Sequence, residues 1–152
     1  MLDIHDKIFN LVLKNQQNEQ FEFSKLKTKK FILYFYPKDD TPGCTKEAIA
    51  FKENKEKINN FGYSIIGVSK DSADKHMKFS NKYDLNFTLL SDENLELCKI
   101  FNVWVEKNMY GKKYMGIERS TFIIHENFSV KKIWSKVKVN GHIEDIFAYI
   151  SG

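Results

Sequence analysis

Cysteine is scarce in this sequence of 152 residues, which contains only Cys44 and Cys98. The two thiols lie too far apart in the chain to form a Cys-x-x-Cys pair or a zinc-ligand spacing, and they do not make a disulfide framework. Free cysteines are usual in reducing compartments, where they are inert core residues or reactive thiols. The sequence therefore predicts a cytoplasmic protein in which at least one thiol has a chemical task.

Long apolar runs and dense charge runs are absent as well. The amino-terminal stretch "MLDIHDKIFNLVLK" mixes charged with apolar residues, which argues against a secretory signal or a membrane-spanning segment there. The 24 Lys and Arg against 20 Asp and Glu give a formal net charge of +4 that is spread along the chain. A nucleic-acid-binding face usually concentrates its basic residues. We therefore expect no membrane and no nucleic acid as partners.

The sequence also has no glycine-rich phosphate loop, which argues against a nucleotide cofactor. Its histidines stand far apart and share no ligand spacing. This pattern predicts surface or helix-capping positions for His5, His76, His125 and His142. We expect no cofactor and no metal.

The chain does have enough apolar residues for a core. Hydrophobic residues make up 42% of it, including 13 Phe, and charged residues make up 29%, a balance typical of a globular domain. Its length is that of one ordinary domain, and neither a repeat nor a linker-like segment divides it. One domain over residues 1–152 is predicted.

Hydrophobic patterning predicts the elements of the first half. Alternating apolar residues on both sides of residues 15–18 predict a short amino-terminal hairpin. The continuous apolar run over residues 31–36 is typical of a central strand covered on both faces. A helical period then runs from Cys44 to Ile58, and Gly62 is a suitable stop.

In the second half, "YSIIGVS" predicts another buried strand, and "DSADKHMKFSNKYDL" and "SDENLELCKIF" each open with a capping residue and predict helices. The segments "STFIIH" and "SVKKIW" predict a strand pair. The last helix has one apolar face, formed by Ile143, Ile146, Phe147 and Ile150. Strands that alternate with helices, with a terminal hairpin, predict an α/β fold arranged as a three-layer sandwich.

The stretch "YPKDDTPGCTKEAIAF" carries the most chemistry. Thr41 is a suitable N-cap and Pro42 a suitable first helical residue, which makes Cys44 the third residue of the helix. There the sulfur lies near backbone N–H groups without intrahelical partners, at the positive end of the helix dipole, and both favour the thiolate. The alternative is that Cys44 packs as a small apolar residue. The two carboxylates of this stretch, Asp39 and Asp40, are expected to matter less than the threonine and the cysteine.

The same stretch resembles the peroxiredoxin signature Pro-x-x-x-Thr-x-x-Cys, with Pro37, Thr41 and Cys44 in its fixed positions. The blocks "LLSDENLELCKIFNVW", "KNMYGKKYMGIERSTFIIHE" and "KVKVNGH" resemble the bacterioferritin-comigratory-protein/peroxiredoxin Q subfamily. The resemblance covers nearly the whole chain. It implies a thioredoxin-like fold with a central mixed sheet, and reduction of hydrogen peroxide and organic hydroperoxides.

The resemblance also implies roles for individual residues. Cys44 would be the peroxidatic nucleophile that becomes a sulfenic acid. Thr41 would hold the peroxide through its hydroxyl group, and Pro37 would shield the pocket.

Residues 105–118 predict a long loop at the rim of the site, where aromatic side chains would wall the pocket or meet a reductant. These side chains are Trp104, Tyr110 and Tyr114.

Arg119 matches the active-site arginine of the family. A guanidinium can stabilise negative charge as it moves from sulfur to the departing oxygen, and Glu47 would orient this arginine as its ion-pair partner. The alternative is a surface arginine satisfied by the neighbouring Glu118.

The chain departs from the subfamily at the resolving cysteine, which would form a disulfide with the oxidised Cys44. Ile49 and Ser80 stand where relatives carry that cysteine. Cys98 is a possible substitute, but its apolar surroundings favour a structural role. We therefore predict a monomeric one-cysteine peroxidase that is reduced by thioredoxin, glutaredoxin or a small thiol. The alternative is a non-enzymatic thiol switch that relays oxidation to a partner protein.

Overall fold

The structure, a computed structural model, describes residues 4–26 and 28–152. Residues 1–3, with which the charged amino-terminal stretch begins, lie outside the described residues. The helices are α1 (Ile4–Ile8), α2 (Pro42–Asn60), α3 (Ala73–Tyr83), α4 (Glu96–Ile100) and α5 (His142–Ile150). The strands are β1 (Val12–Asn15), β2 (Gln20–Glu22), β3 (Lys30–Phe35), β4 (Tyr63–Ser69), β5 (Thr88–Ser91), β6 (Trp104–Met109), β7 (Lys112–Ile117), β8 (Ser120–His125) and β9 (Ser129–Trp134).

Seven of these strands form one mixed sheet in the order β2-β1-β5-β4-β3-β8-β9. Strand β4 is parallel to both β3 and β5, and the other pairs are antiparallel. Strands β6 and β7 form a separate antiparallel hairpin. The predicted amino-terminal hairpin is confirmed as β1 and β2, and the predicted pair in the last third of the chain as β8 and β9.

Side chains of β3 point alternately to the two faces of the sheet, as the pleat of a strand requires. Phe31, Leu33 and Phe35 belong to a core on one face, which helices α1 and α4 cover. The intervening residues, among them Ile32 and Tyr34, belong to a second core, which α2, α3 and α5 cover. Helices, sheet and helices form the three layers of the predicted thioredoxin-like sandwich.

Several elements differ from the sequence expectation. Residues 105–118, predicted as a loop, instead contribute most of the β6–β7 hairpin. Strand β5 and the short helix α1 were not predicted, because four or five residues carry too little periodicity. Helix α4 begins later than expected, at Glu96, because Ser91 completes β5 and the Asp92 carboxylate accepts hydrogen bonds from the N–H groups of Leu97 and Cys98.

Three chain segments meet at the end of the sheet where the parallel strands β3 and β4 have their carboxyl ends. Helix α2 begins just beyond the carboxyl end of β3, and the first residue of β8, Ser120, pairs with Phe35 at that same end. The N–H group of Tyr36 donates to the carbonyl of Val68 at the end of β4. The residue before β8, Arg119, is thereby brought to the start of α2.

Among the residues described, no helix combines the length and the apolar character needed to cross a membrane.

Candidate active site

Cys44 occupies the position that the capping residues predict. Thr41 is the N-cap with extended backbone angles (φ −97°, ψ 154°), and Pro42 is the first residue of α2. Cys44 is therefore the third residue of this helix, and it is only 2% exposed. Its sulfur lies at the end of the helix where backbone N–H groups lack intrahelical partners, an environment that stabilises an anion.

The hydroxyl of Thr41 differs from the expected cap, because it makes no capping bond to the helix. Instead, Thr41 Oγ1 donates to the carbonyl oxygen of Lys38 at 2.8 Å. Since a hydroxyl has one proton and two lone pairs, this bond uses the proton and leaves the oxygen free to accept.

Arg119 joins Cys44 to Glu47. Its Nη2 donates to Cys44 Sγ at 3.4 Å and its Nη1 donates to Glu47 Oε1 at 2.7 Å. The Arg119 side chain is 17% exposed, and its ion pair is made with Glu47 rather than with the adjacent Glu118. The surface alternative for Arg119 is therefore wrong.

Gly43 leaves room for this guanidinium. A Cβ atom at Gly43 would lie 3.2 Å from Arg119 Nη2, closer than an ordinary van der Waals contact. The glycine between Pro42 and Cys44 thus lets the arginine pass close to the backbone of the first helical turn.

The Glu47 carboxyl group lies in an environment that disfavours its charged form. Burial raises its pKa from 4.5 to about 7, and the charge and hydrogen bond of Arg119 offset only part of that rise. Its second oxygen, Oε2, and the hydroxyl of Tyr34 are buried without a hydrogen-bond partner among the described residues. The polar environment around the thiol is therefore supplied mainly by Arg119.

Comparison with known proteins agrees with this geometry. Residues 4–133 match the AhpC/TSA family. The Peroxiredoxin Bcp of Bacillus subtilis is 46% identical over 144 residues, which cover 95% of this chain and 92% of that protein. The Peroxiredoxin Bcp of Escherichia coli is 35% identical over 138 residues, covering 91% of this chain and 88% of that protein.

Solved structures are similar too. The Xanthomonas campestris bacterioferritin comigratory protein, studied as trapped intermediate and ligand complexes for its alkyl peroxide reduction activity, matches with a TM-score of 0.90 and 40% identity, covering 96% of this chain and 93% of that chain. The chain is a peroxiredoxin of the Bcp/PrxQ type and belongs to the AhpC/TSA family. Peroxiredoxins of this type are thiol-dependent peroxidases, and so is this chain.

Two further members of the predicted site lie where the peroxiredoxin signature puts them in the chain, but their surroundings differ. Pro37 lies two residues beyond the end of β3 and is exposed, while Thr41 is partly buried. An open groove of about 550 Å³ runs beside Thr41 along the outer side of α2, and Ile49 also lines it. The shielding role of Pro37 stays a prediction.

Cys98 lies on the other side of the sheet from Cys44. It is fully buried in the core that contains Phe35, whereas Cys44 belongs to the core that contains Tyr34. Burial raises the pKa of the Cys98 thiol far above its ordinary value, and the nearby Asp92 carboxylate raises it further. Both features are typical of an unreactive thiol.

The histidine prediction is wrong at two positions, because sequence spacing carries no information on burial. His142 opens α5 but is 5% exposed, and its Nε2 lies 2.8 Å from Thr121 Oγ1. Burial lowers the pKa of His142, which favours the neutral ring. His76 is 0% exposed and lies beneath the loop that carries Thr41.

The low importance given to Asp39 and Asp40 is also wrong. The Asp40 carboxylate, on a left-handed residue (φ 58°), accepts hydrogen bonds from Tyr83 Oη at 2.7 Å and Lys82 Nζ at 2.8 Å. Asp39 is buried and contacts His76. Both carboxylates therefore contact α3 from the loop between β3 and α2. The sequence carries no signal of these contacts, because the partners lie far away in the chain.

Asp39, Asp71 and His76 also have ligand-type atoms within 4.8 Å of one another. Hydrogen bonds within the fold already engage these atoms. Asp71 Oδ2 accepts from the N–H of Asp39 at 2.8 Å and from Ser69 Oγ at 2.7 Å. The cluster is therefore a hydrogen-bond network.

Lys107 of the β6–β7 hairpin is a second cation near the site that sequence reasoning missed. Burial lowers its pKa, and the Arg119 charge adds to this, whereas the charges of Glu118 and Cys44 oppose it. Its aliphatic stem crosses Gly116, where a Cβ atom would lie 3.3 Å from Lys107 Cδ. The predicted rim of the site is thus a hairpin that brings a lysine.

Proposed function

We propose that this peroxidase uses Cys44 as its nucleophile and works by a one-cysteine mechanism. The observation that carries the proposal is the guanidinium of Arg119, which contacts Cys44 Sγ at 3.4 Å and Glu47 Oε1 at 2.7 Å. A fixed cation beside a sulfur at a helix N-terminus favours the thiolate, which is the reactive form.

In the first step the Cys44 thiolate attacks the terminal oxygen of the hydroperoxide. The S–O bond forms as the O–O bond breaks, and the electron pair of the broken bond goes to the departing oxygen, which takes a proton and leaves as water or an alcohol. Arg119 is positioned to stabilise this charge as it moves from sulfur to oxygen. Thr41 supports substrate binding, because its hydroxyl proton is directed to Lys38 and its oxygen can accept the peroxide O–H.

The second step uses an external thiol. Its sulfur attacks the sulfenic sulfur of Cys44, water leaves, and another thiol then releases Cys44 by disulfide exchange. The usual resolving positions hold Ile49 and Ser80, and Cys98 lies in a core on the opposite face of the sheet. A disulfide needs Cα atoms within roughly 7 Å, so the separation across the sheet supports an external reductant.

Thioredoxin, glutaredoxin and small thiols are the candidate reductants, and hydrogen peroxide and organic hydroperoxides are the candidate substrates. We also propose a cytoplasmic monomer, and light scattering on a sizing column would test the monomeric state.

The second candidate function is a thiol switch that passes oxidation to a partner protein. The lack of a cysteine at residues 49 and 80 supports this alternative.

One experiment separates these functions. Peroxide consumption is measured with thioredoxin, glutaredoxin or a small thiol as the only reductant, and intact mass is measured after one equivalent of peroxide. We expect many turnovers with at least one reductant, and a gain of oxygen on Cys44 without a link to Cys98.

The controls give each outcome a meaning. Cys44→Ser abolishes consumption if Cys44 is the nucleophile, and full activity of this variant would overturn the assignment. An internal disulfide between Cys44 and Cys98 would overturn the one-cysteine mechanism. A single equivalent consumed with every reductant would favour the thiol switch.

A further inference from the structure

A chain of buried hydrogen bonds runs beneath the loop that carries Thr41, and the reaction described above does not use it. Tyr36 Oη donates to Asp39 Oδ1 at 2.6 Å. The other carboxylate oxygen, Asp39 Oδ2, lies 2.6 Å from His76 Nδ1. The second ring nitrogen, His76 Nε2, lies 2.9 Å from the carbonyl oxygen of Leu90. These contacts link the loop after β3 to α3 and β5.

The proton positions follow from the partners. A carbonyl oxygen only accepts, so His76 Nε2 carries a proton. A second proton lies between Nδ1 and the Asp39 carboxylate, whichever of the two atoms holds it. With the His76 and Asp39 side chains only 0% and 5% exposed, loss of either partner would leave an unsatisfied polar or charged group in the interior.

This network fixes the backbone just before Thr41. The N–H of Asp39 donates to Asp71 Oδ2 at 2.8 Å, so both the main chain and the side chain of Asp39 are held. The neighbouring Lys38 supplies the carbonyl that receives the Thr41 hydroxyl proton at 2.8 Å. The direction in which Thr41 offers its oxygen therefore depends on how the Asp39 segment is anchored.

A second contact on the same loop is much more exposed. The Asp40 carboxylate meets Lys82, and their side chains are 42% and 58% exposed. Exposed ion pairs contribute little to rigidity, whereas a buried, fully bonded network holds one arrangement. Asp39 and His76, rather than Asp40, are the groups able to keep the loop in place.

We propose that Asp39 and His76 are positioning residues of the peroxidase reaction, acting through the Lys38 carbonyl to aim the Thr41 hydroxyl at the peroxide. The proposal rests on the function proposed above for Cys44 and Thr41. Among the described residues, no hydrogen bond joins the network to the Cys44 sulfur or to Arg119, so its loss should slow the reaction with peroxide while leaving the nucleophile intact.

The test compares two reactions of the same thiol. Alkylation by iodoacetamide needs the Cys44 thiolate but not Thr41, whereas reaction with hydrogen peroxide needs both. In His76→Gln and Asp39→Asn we expect the peroxide rate constant to fall about 10-fold to 100-fold, the range for a misplaced reacting group. The alkylation rate constant should stay within about twofold of the wild type, since the thiolate environment is unchanged.

Two variants guard against misfolding as the cause. Tyr36→Phe removes only the hydrogen bond at one end of the network and keeps the ring, so it should fold and give a smaller fall in the ratio of peroxide rate to alkylation rate. His125→Gln breaks another histidine–tyrosine contact, to Tyr63 Oη at 2.6 Å, at the opposite end of β8 from Arg119. This control should leave the ratio unchanged.

A Thr41→Val background separates the two proposals. If Thr41→Val alone leaves the peroxide rate unchanged, the role proposed for Thr41 fails. If Thr41→Val is slow and adding His76→Gln slows it no further, His76 acts through Thr41 as proposed. An unchanged ratio in every folded variant of the network, or a fully additive effect of His76→Gln in the Thr41→Val background, would overturn the inference.

Discussion

A single guanidinium contacts two acidic groups at this site. Arg119 donates to the Cys44 sulfur and to the Glu47 carboxylate, and its planar fork allows both contacts at once. A point charge on a flexible stem cannot reproduce this geometry. The identity of residue 119 should therefore matter in two ways, through its charge and through its shape.

Arg119→Met and Arg119→Lys separate charge from shape. We expect Arg119→Met to lower both iodoacetamide alkylation at pH 7 and the peroxide rate, the latter by about 10²-fold or more. Arg119→Lys should restore much of the alkylation rate, because charge remains, but little of the peroxide rate. Stopped-flow measurements of both reactions check this, and an Arg119→Met peroxide rate within twofold of the wild type would contradict it.

Glu47 should make stability depend on pH. Its pKa is raised from 4.5 to about 7, chiefly by burial, so between these values the folded state binds more protons than the unfolded state. The free energy of unfolding then falls as pH rises through this window. The contribution is fully present below about 4.5, is lost above about 7, and is on the order of 3 kcal/mol at ~1.4 kcal/mol for each pKa unit.

Urea unfolding of the wild type and of Glu47→Gln between pH 4 and pH 8 tests this. The neutral glutamine keeps the shape of the side chain and removes the titration. We expect the two curves of stability against pH to diverge across the window, with the wild type losing more. Parallel curves would rule out Glu47 as the titrating group.

Sequence was a good guide to those residues of the site that lie close to a local signal. The Thr41–Pro42 start of a helix predicts where Cys44 lies, and the family motif identifies Arg119. Sequence gave no guide to the Asp39–His76 contact, because the two residues are far apart in the chain and a histidine carries no mark of burial. Partnership between distant polar side chains is a property of the folded topology.

At the scale of elements, the first turn of α2 and the residue before β8, Arg119, approach each other closely. Gly43 is the point of contact, with room for the Arg119 guanidinium but little for a methyl group. Catalytic geometry and helix stability make opposite demands here, because alanine is the better helix former.

Gly43→Ala should therefore weaken catalysis without weakening the fold. The added methyl displaces the flexible end of Arg119, and we expect the peroxide rate to fall about 10-fold. The free energy of unfolding should stay unchanged or rise by up to ~1 kcal/mol. Glu56→Ala, on the exposed side of the same helix, is the matched control, and equal peroxide rates in the two variants would contradict the prediction.

The β6–β7 hairpin explains one failure of sequence reading. Its residues are exposed or partly buried over most of their length, so the alternation that marks a half-buried strand is missing. The sequence does carry a signal for the turn between β6 and β7. Tyr110 and Gly111 have φ of 52° and 81°, the left-handed pair typical of a tight hairpin turn.

At the scale of the whole molecule, the central sheet divides the interior into two cores with one cysteine in each. Most of the α/β plan was predictable, because buried strands and amphipathic helices have strong periodic signals. The partition of the cysteines was not, since it depends on which face of the sheet each helix covers. That partition is the main structural support for reduction by an external thiol.

Cys98→Ala should cost stability and spare activity. Its thiol fills space in a fully buried site, and loss of a group about the size of a methyl costs ~1 kcal/mol. The peroxide rate and the turnover with an external thiol should stay within about twofold of the wild type, as stopped-flow and steady-state assays can check. Loss of repeated turnover in this variant would instead make Cys98 the resolving residue.

The divided interior also gives the chain two natural probes of its own motion. Cys98 is 0% exposed, so a thiol reagent reaches it only when the core under α1 and α4 opens locally. The labelling rate of Cys98 under native conditions therefore reports how often this core opens. The labelling rate of Cys44 in the same sample reports the reactivity of the thiol at the start of α2. Without an added fluorophore or a mutation, a time series of mass spectra would follow both the reactivity of Cys44 and the local opening around Cys98.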